Sequence, residues 1–230
     1  MYTLIIGNKN YSSWSLRPWV LMHELGIEFK EELKPFIEGG SWAEFRQFSP
    51  TGTVPVLIDH SNDTLVWDSL AISEYLGDNG HLVWPEDKAA RAWARSATAE
   101  MHSGFSALRN QCNMTVGQRV KLNKVTPELT KDIQRIDELW NEGLERFGGE
   151  FLAGEKFSIV DAFFTPVAFR IRTFSLNFSD TSLAYANKLL ARPSVKQWET
   201  AALQETWREP GHEKETNDMG VVIQDDRASA

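Results

Sequence analysis

The sequence predicts an α/β domain followed by an all-α domain. Three observations carry this reading. The first eighty residues alternate short apolar runs with helix-like stretches. Residues 78–87 contain Gly and Pro and read as a linker. Beyond them the apolar residues recur at helical spacing, with no strand-like runs.

The elements follow in order. Residues 2–6 form a short apolar run suited to a buried strand. Ser15 caps a helix to about residue 25, with Pro18 in its first turn and Gly26 stopping it. Residues 29–36 alternate apolar and charged side chains and read as a strand; 41–48 is a short helix or turn. Strands at 54–58 and 64–67 are joined by a turn, and a helix opens at Ser69. This order is a βαβ unit followed by a ββα unit, hence a mixed sheet with helices on both faces. One long helix then runs from residue 88 to about 112. Helices at 128–147, 159–174, 181–190 and 194–207 follow, with Pro193 and Pro210 at helix boundaries. The domains so defined are 1–80 and 88–209. The polar, mostly acidic segment 210–230 reads as a mobile tail.

Composition narrows the function. With 230 residues and 42% hydrophobic side chains the chain can bury a substantial core. A net charge of −8 argues against a nucleic-acid partner. The single cysteine, Cys112, excludes an intrachain disulfide and a cysteine zinc cluster, and is consistent with a reducing compartment. The N-terminal residues lack the pattern of a secretory signal, and no apolar stretch approaches the ~20 residues that span a bilayer. The expectation is a cytoplasmic protein with no membrane partner and no metal.

Three segments stand out: Tyr11-Ser12-Ser13-Trp14-Ser15-Leu16-Arg17, Ser49-Pro50-Thr51-Gly52-Thr53-Val54-Pro55 and Trp67-Asp68-Ser69-Leu70-Ala71-Ile72. Singly, each has a plain reading: Ser12 as a helix cap, Val54-Pro55 as an ordinary trans pair, Asp68-Ser69 as another cap. In a βαβ/ββα fold all three gather near one end of the sheet.

In order and spacing these segments resemble the cytosolic glutathione transferases with a serine-type active site, namely the zeta, theta and tau classes. The Ser12-Ser13-x-Ser15 run is closest to the zeta pattern. The resemblance covers residues 2–207. In the helical half it rests on Phe157-Ser158-Ile159-Val160-Asp161, similar to the family's capping motif. It implies a thioredoxin-like first domain and an all-helical second. It implies that Ser12 hydrogen-bonds the glutathione sulfur, with Ser13 able to share or take over that role. Thr53 and Val54, ahead of a cis Pro55, would hold the cysteinyl part. Asp68 and Ser69 would hold the γ-glutamyl end, where many members carry Glu or Gln in place of Asp68. Trp42 reads either as a packing residue or, through its indole N–H, as a donor to the glycine carboxylate.

A second-substrate pocket is expected against the long helix, at Met101, His102, Phe105 and Arg109. The same stripe also reads as core, and His102 or Arg109 could meet an anionic substrate. Ser158 and Asp161 form a structural capping box. Arg170 and Arg172 read as ion-pair partners or as surface charge.

One hydroxyl suffices on physical grounds. A cysteine thiol titrates near ~8.5, and lowering that by two units takes roughly 2.7 kcal/mol. A hydrogen bond to a charged group supplies about 1.5–3 kcal/mol, and a helix N-terminus roughly 0.3–1 kcal/mol. Redox relatives of the fold frame this loop as C-x-x-C, but here Ser12 and Ser15 stand instead, so disulfide exchange is not expected. The resemblance therefore implies a homodimeric detoxification enzyme joining glutathione to a small electrophile. Two other readings stay open. One is glutathione-dependent cis-trans isomerisation of the maleylacetoacetate type, although zeta members carry Cys where this chain has Trp14. The other is a non-catalytic binding module of the same fold.

Overall fold

A computed structural model describes residues 1–229. In the first domain, β1 (Tyr2–Ile6) pairs in parallel with β2 (Phe29–Leu33) and antiparallel with β3 (Val56–Asp59), which pairs antiparallel with β4 (Thr64–Trp67). The sheet order is β2-β1-β3-β4, the mixed sheet expected. Helices α1 (Ser13–Glu24), α2 (Trp42–Phe45) and α3 (Ser69–Asp78) complete the unit.

Several boundaries move for local reasons. Ser12, not Ser15, caps α1: its Oγ accepts the Ser15 amide at 3.3 Å. Pro18 therefore sits in the second turn, where it withholds only the N–H that Trp14 would have received. Strand β2 ends at Leu33, short of Phe36, and β3 starts after Pro55, which has no N–H to give the ladder.

The second domain is helical: α4 (Lys88–Ser103), α5 (Ser106–Gln111), α6 (Pro127–Phe147), α7 (Ile159–Phe174), α8 (Asp180–Ala191), α9 (Pro193–Gln204) and α10 (Pro210–Met219). Three expectations are corrected. The single helix over 88–112 breaks at Gly104 and Phe105, the latter left-handed at φ 57°. At the break a Cβ on Gly104 would lie 2.8 Å from the Glu100 carbonyl, so the extended backbone there is open to glycine. The helical domain has the expected class and carries in addition one two-stranded ladder, β5 (Gln118–Leu122) pairing antiparallel with β6 (Gly220–Asp225). The segment expected to be a mobile tail is thus α10 followed by β6, held to the body by that ladder. Helix α9 ends at Gln204, before Trp207.

Helix α7 forms the centre of the molecule. All its residues are buried except Arg172, which explains its lack of a clear apolar stripe. The Asp161 carboxylate, wholly buried, accepts the amides of Leu152 and Ser158 at 3.0 and 2.9 Å and the Tyr185 hydroxyl at 2.7 Å. Burial pushes its carboxyl up to about 6, against the pull of those bonds. Across the domain boundary, Trp198 donates its indole N–H to the Lys9 carbonyl at 2.9 Å.

Candidate functional site

The loop between β1 and α1 brings Ser12 and Ser13 to the sheet end, and the two serines diverge. Ser12 lines a cavity of about 430 Å³ together with Tyr11, Trp14, Phe36, Trp42, Thr53 and Val54. Its hydroxyl donates to Ser15 Oγ at 2.7 Å, and Ser15 Oγ also accepts the Gly7 amide at 3.2 Å. Ser13 points the other way, into the domain interface, where its Oγ lies 3.5 Å from Arg170 Nη2.

A second cavity of about 370 Å³ adjoins the first, sharing Trp14, Thr53 and Val54 with it and adding Thr51, Pro55, Trp67, Asp68 and Ser69. The three sequence segments therefore meet along one groove. The Val54–Pro55 peptide is cis. Val54 lies outside β3, so its N–H and C=O are not part of the ladder.

Asp68 has a positive φ of 75° and caps α3, its Oδ1 accepting the Leu70 and Ala71 amides at 2.8 and 3.3 Å. The other carboxylate oxygen lies 3.4 Å from His102 Nε2. Ser69 lines the second cavity with a buried hydroxyl that has no partner among the described residues. A buried orphan hydroxyl at a helix start suits an anionic ligand group.

Trp42 is 63% exposed, and the pyrrole part of its indole approaches Gly52 closely. A Cβ at Gly52 would sit 2.6 Å from the ring, so glycine admits this approach. Trp42 and Gly52 both line the larger cavity.

Trp14 is the hinge of the groove. The guanidinium carbons of Arg17 and Arg109 lie 4.0 and 5.0 Å from its ring centroid, and His102 packs edge-on at 5.4 Å. Arg17 also stacks on Phe163 at 4.8 Å, so a wholly buried cation is held between two aromatic faces. Burial and then the charges of Arg109 and Arg170 pull its proton affinity well down. Two guanidinium groups thus lie against Trp14, a field that favours an anion in the groove.

The four residues expected at a second-substrate pocket separate. Met101 and Phe105 are buried in the core. His102 and Arg109 reach Trp14, and Arg109 also closes the end of α4 by donating to the carbonyls of Met101 and His102. Of the two arginines on α7, Arg170 is buried and donates to the Cys112 carbonyl at 2.7 Å, while Arg172 pairs with Glu199 at 2.6 Å.

The structure adds two residues the sequence reading did not single out. Glu209 and His212, at the start of α10, line the larger cavity together with Ser12. His212 is stacked between Tyr11 and Phe36, at 4.8 and 5.1 Å between ring centroids. The signal was present: Glu209 caps a helix with Pro210 at its first position, a start rather than an end.

Comparison with known proteins agrees with this architecture. Residues 11–79 match the family model described as glutathione S-transferase, N-terminal domain, and residues 123–201 match the corresponding C-terminal domain. Glutathione S-transferase Z2 of Arabidopsis thaliana is 28% identical, over 69% of this chain and 74% of that relative. A probable maleylacetoacetate isomerase of Vibrio cholerae is 27% identical, over 70% and 78%. A glutathione transferase homologue from Burkholderia, solved with bound glutathione, superposes with a TM-score of 0.66 at 22% identity, over 87% of this chain and 97% of that one.

Proposed function

We propose that this chain, which belongs to the glutathione S-transferase family, joins the glutathione thiolate to a small electrophile with Ser12 beside the sulfur. The observation that carries the reading is the groove, where Ser12, Val54 and the Asp68-Ser69 turn share adjoining cavities. Glutathione, extended along it, would place its γ-glutamyl end at Asp68 and the unpartnered Ser69 hydroxyl. Its cysteinyl backbone would lie against Thr53, Val54 and Pro55, and its glycine carboxylate near Trp42. The sulfur then lies at Ser12, over the cations beneath Trp14, which stabilise the thiolate. The Ser12 hydroxyl must turn from Ser15 to donate to the sulfur. Ser13 faces Arg170 and is assigned to packing. Of the second-substrate set, His102 and Arg109 are retained as groups that orient Trp14, and Met101 and Phe105 as the core behind them. A cytoplasmic homodimer acting in detoxification completes the reading.

Calorimetric titration with glutathione, followed by a conjugation assay on a panel of electrophiles, tests it. Saturable binding and thioether formation are expected; no binding would overturn it and would favour the non-catalytic module.

The isomerase relative supports a second reading, glutathione-dependent isomerisation. Trp14, large and held between two arginines, gives this groove a different floor from the cysteine of zeta members. Turnover of a cis-dienoic acid without glutathione consumption would favour this reading over conjugation.

A further inference from the structure

Under this reading the glutathione thiol must lose a proton inside the groove, and few groups there can take it. Ser12 does not serve as the acceptor. Its hydroxyl already donates to Ser15 Oγ at 2.7 Å and accepts the Ser15 amide at 3.3 Å. Asp68 is committed to capping α3 and to His102. In the larger cavity only Tyr11, Glu209 and His212 titrate. The Tyr11 phenol donates to Glu213 at 2.6 Å, and burial together with that bond pushes it up.

The remaining two form a pair. Glu209 Oε2 lies 2.7 Å from His212 Nδ1 and also accepts the His212 amide at 2.7 Å. Burial raises the Glu209 carboxyl, but its bonds to the His212 and Gly211 amides and the His212 ring outweigh this and hold it low. A carboxylate on Nδ1 fixes the tautomer and leaves Nε2 as the proton-accepting atom. The ring is clamped as well, by Tyr11 at an interplanar angle of 21° and by Phe36 at 24°. A base held by a carboxylate, locked by stacking and open to the cavity that Ser12 lines is built for proton transfer.

We propose that His212, oriented by Glu209, accepts the proton of the glutathione thiol and returns it later in the reaction. This rests on the glutathione reading above. The S–H bond breaks, its electron pair stays on sulfur, and the proton binds Nε2. For addition to an activated alkene, a C–S bond then forms and the π pair moves to the neighbouring carbon. The imidazolium gives that carbon its proton, which restores the neutral ring. The other charged groups around His212 are engaged elsewhere. Glu213 accepts Arg227 Nη1 and Nη2 at 2.6 and 3.0 Å besides Tyr11, and Arg208 donates to the Glu205 and Trp207 carbonyls.

His212→Phe keeps a stacking ring and removes the base, so it separates chemistry from packing. The measurements are the ultraviolet thiolate absorbance of bound glutathione against pH, the pH profile of kcat/KM, and calorimetric binding of S-methylglutathione, which has no thiol proton. S-methylglutathione affinity is expected within about twofold of wild type. The thiolate titration should move to higher pH, and kcat/KM near neutrality should fall roughly 100-fold, with the gap narrowing as pH rises. Glu209→Gln, which leaves the ring in place, should fall between the two. A thiolate titration and pH profile of His212→Phe that superimpose on wild type would overturn the proposal. Failure of the wild-type protein to bind S-methylglutathione would instead overturn the glutathione reading beneath it.

Discussion

Glu205, at the end of α9, accepts the backbone amides of both Lys9 and Asn10, at 2.7 and 3.2 Å. One carboxylate of the helical domain thus holds the loop that presents Ser12. Lys9 and Asn10 are buried, so Glu205→Ala leaves two amides without a partner. At about 1–3 kcal/mol for each orphaned group, a loss of about 2–6 kcal/mol in unfolding free energy is expected. Glu205→Gln, which keeps an acceptor, should lose less. Denaturant midpoints of the two variants check this.

The two serines should respond differently. Ser12→Ala removes a cap, about 1 kcal/mol of stability, and the hydroxyl at the groove; conjugation should fall roughly 100-fold. Ser13→Ala removes a group that faces Arg170 and should leave kcat/KM near wild type. Steady-state kinetics on both variants, with melting temperatures, test the assignment.

Asp161 makes a pH prediction with a definite sign. Its carboxyl titrates at about 6 in the folded protein, above its ordinary 3.8. The folded state therefore holds this proton more tightly. The contribution to stability is full below the unfolded value and is lost as pH rises through 3.8 to about 6. That loss is about 3 kcal/mol. Asp161→Asn should remove this slope, read as a flatter plot of unfolding free energy against pH from 4 to 6.

Removing residues 220–230 should damage the groove from a distance. Arg227 leaves with β6, and it holds Glu213, which in turn holds Tyr11 against His212. The melting temperature should drop by about 5 °C or more. Glutathione affinity should weaken about tenfold, as read by calorimetry.

Cys112 is wholly buried, and burial pushes its thiol up to about 12. A disulfide reagent should leave the native protein unmodified at neutral pH and label one thiol per chain after denaturation.

The first domain was legible in the sequence because its local signals agree with one another. The run of Tyr2–Ile6, the Gly26 stop and the Asp68 cap each specify one conformation. The groove was legible because Ser12, Val54 and Asp68 lie at element ends, where topology alone gathers them. The strand at Gln118–Leu122 was not legible. Its alternation is short, and its partner lies about a hundred residues later, in a segment whose polarity suggested a tail. Long-range pairing leaves little local trace. The break at Gly104 and Phe105 was hidden by apolar spacing that continues across it. Glu209 and His212 were not legible because a proline can either stop a preceding helix or start a following one, and the polar segment after Pro210 offers no apolar stripe to choose between the two.

The pairing of β5 with β6 also makes the larger cavity a composite of distant parts of the chain. Ser12, Trp42 and Val54 come from the first domain, and Glu209 and His212 come from the start of α10, which β6 follows and ties through its ladder to β5. Two strands about a hundred residues apart must therefore find each other before α10 is held beside Ser12. The chamber is thus a product of long-range pairing, and a chain whose first domain has folded without that ladder should still lack it.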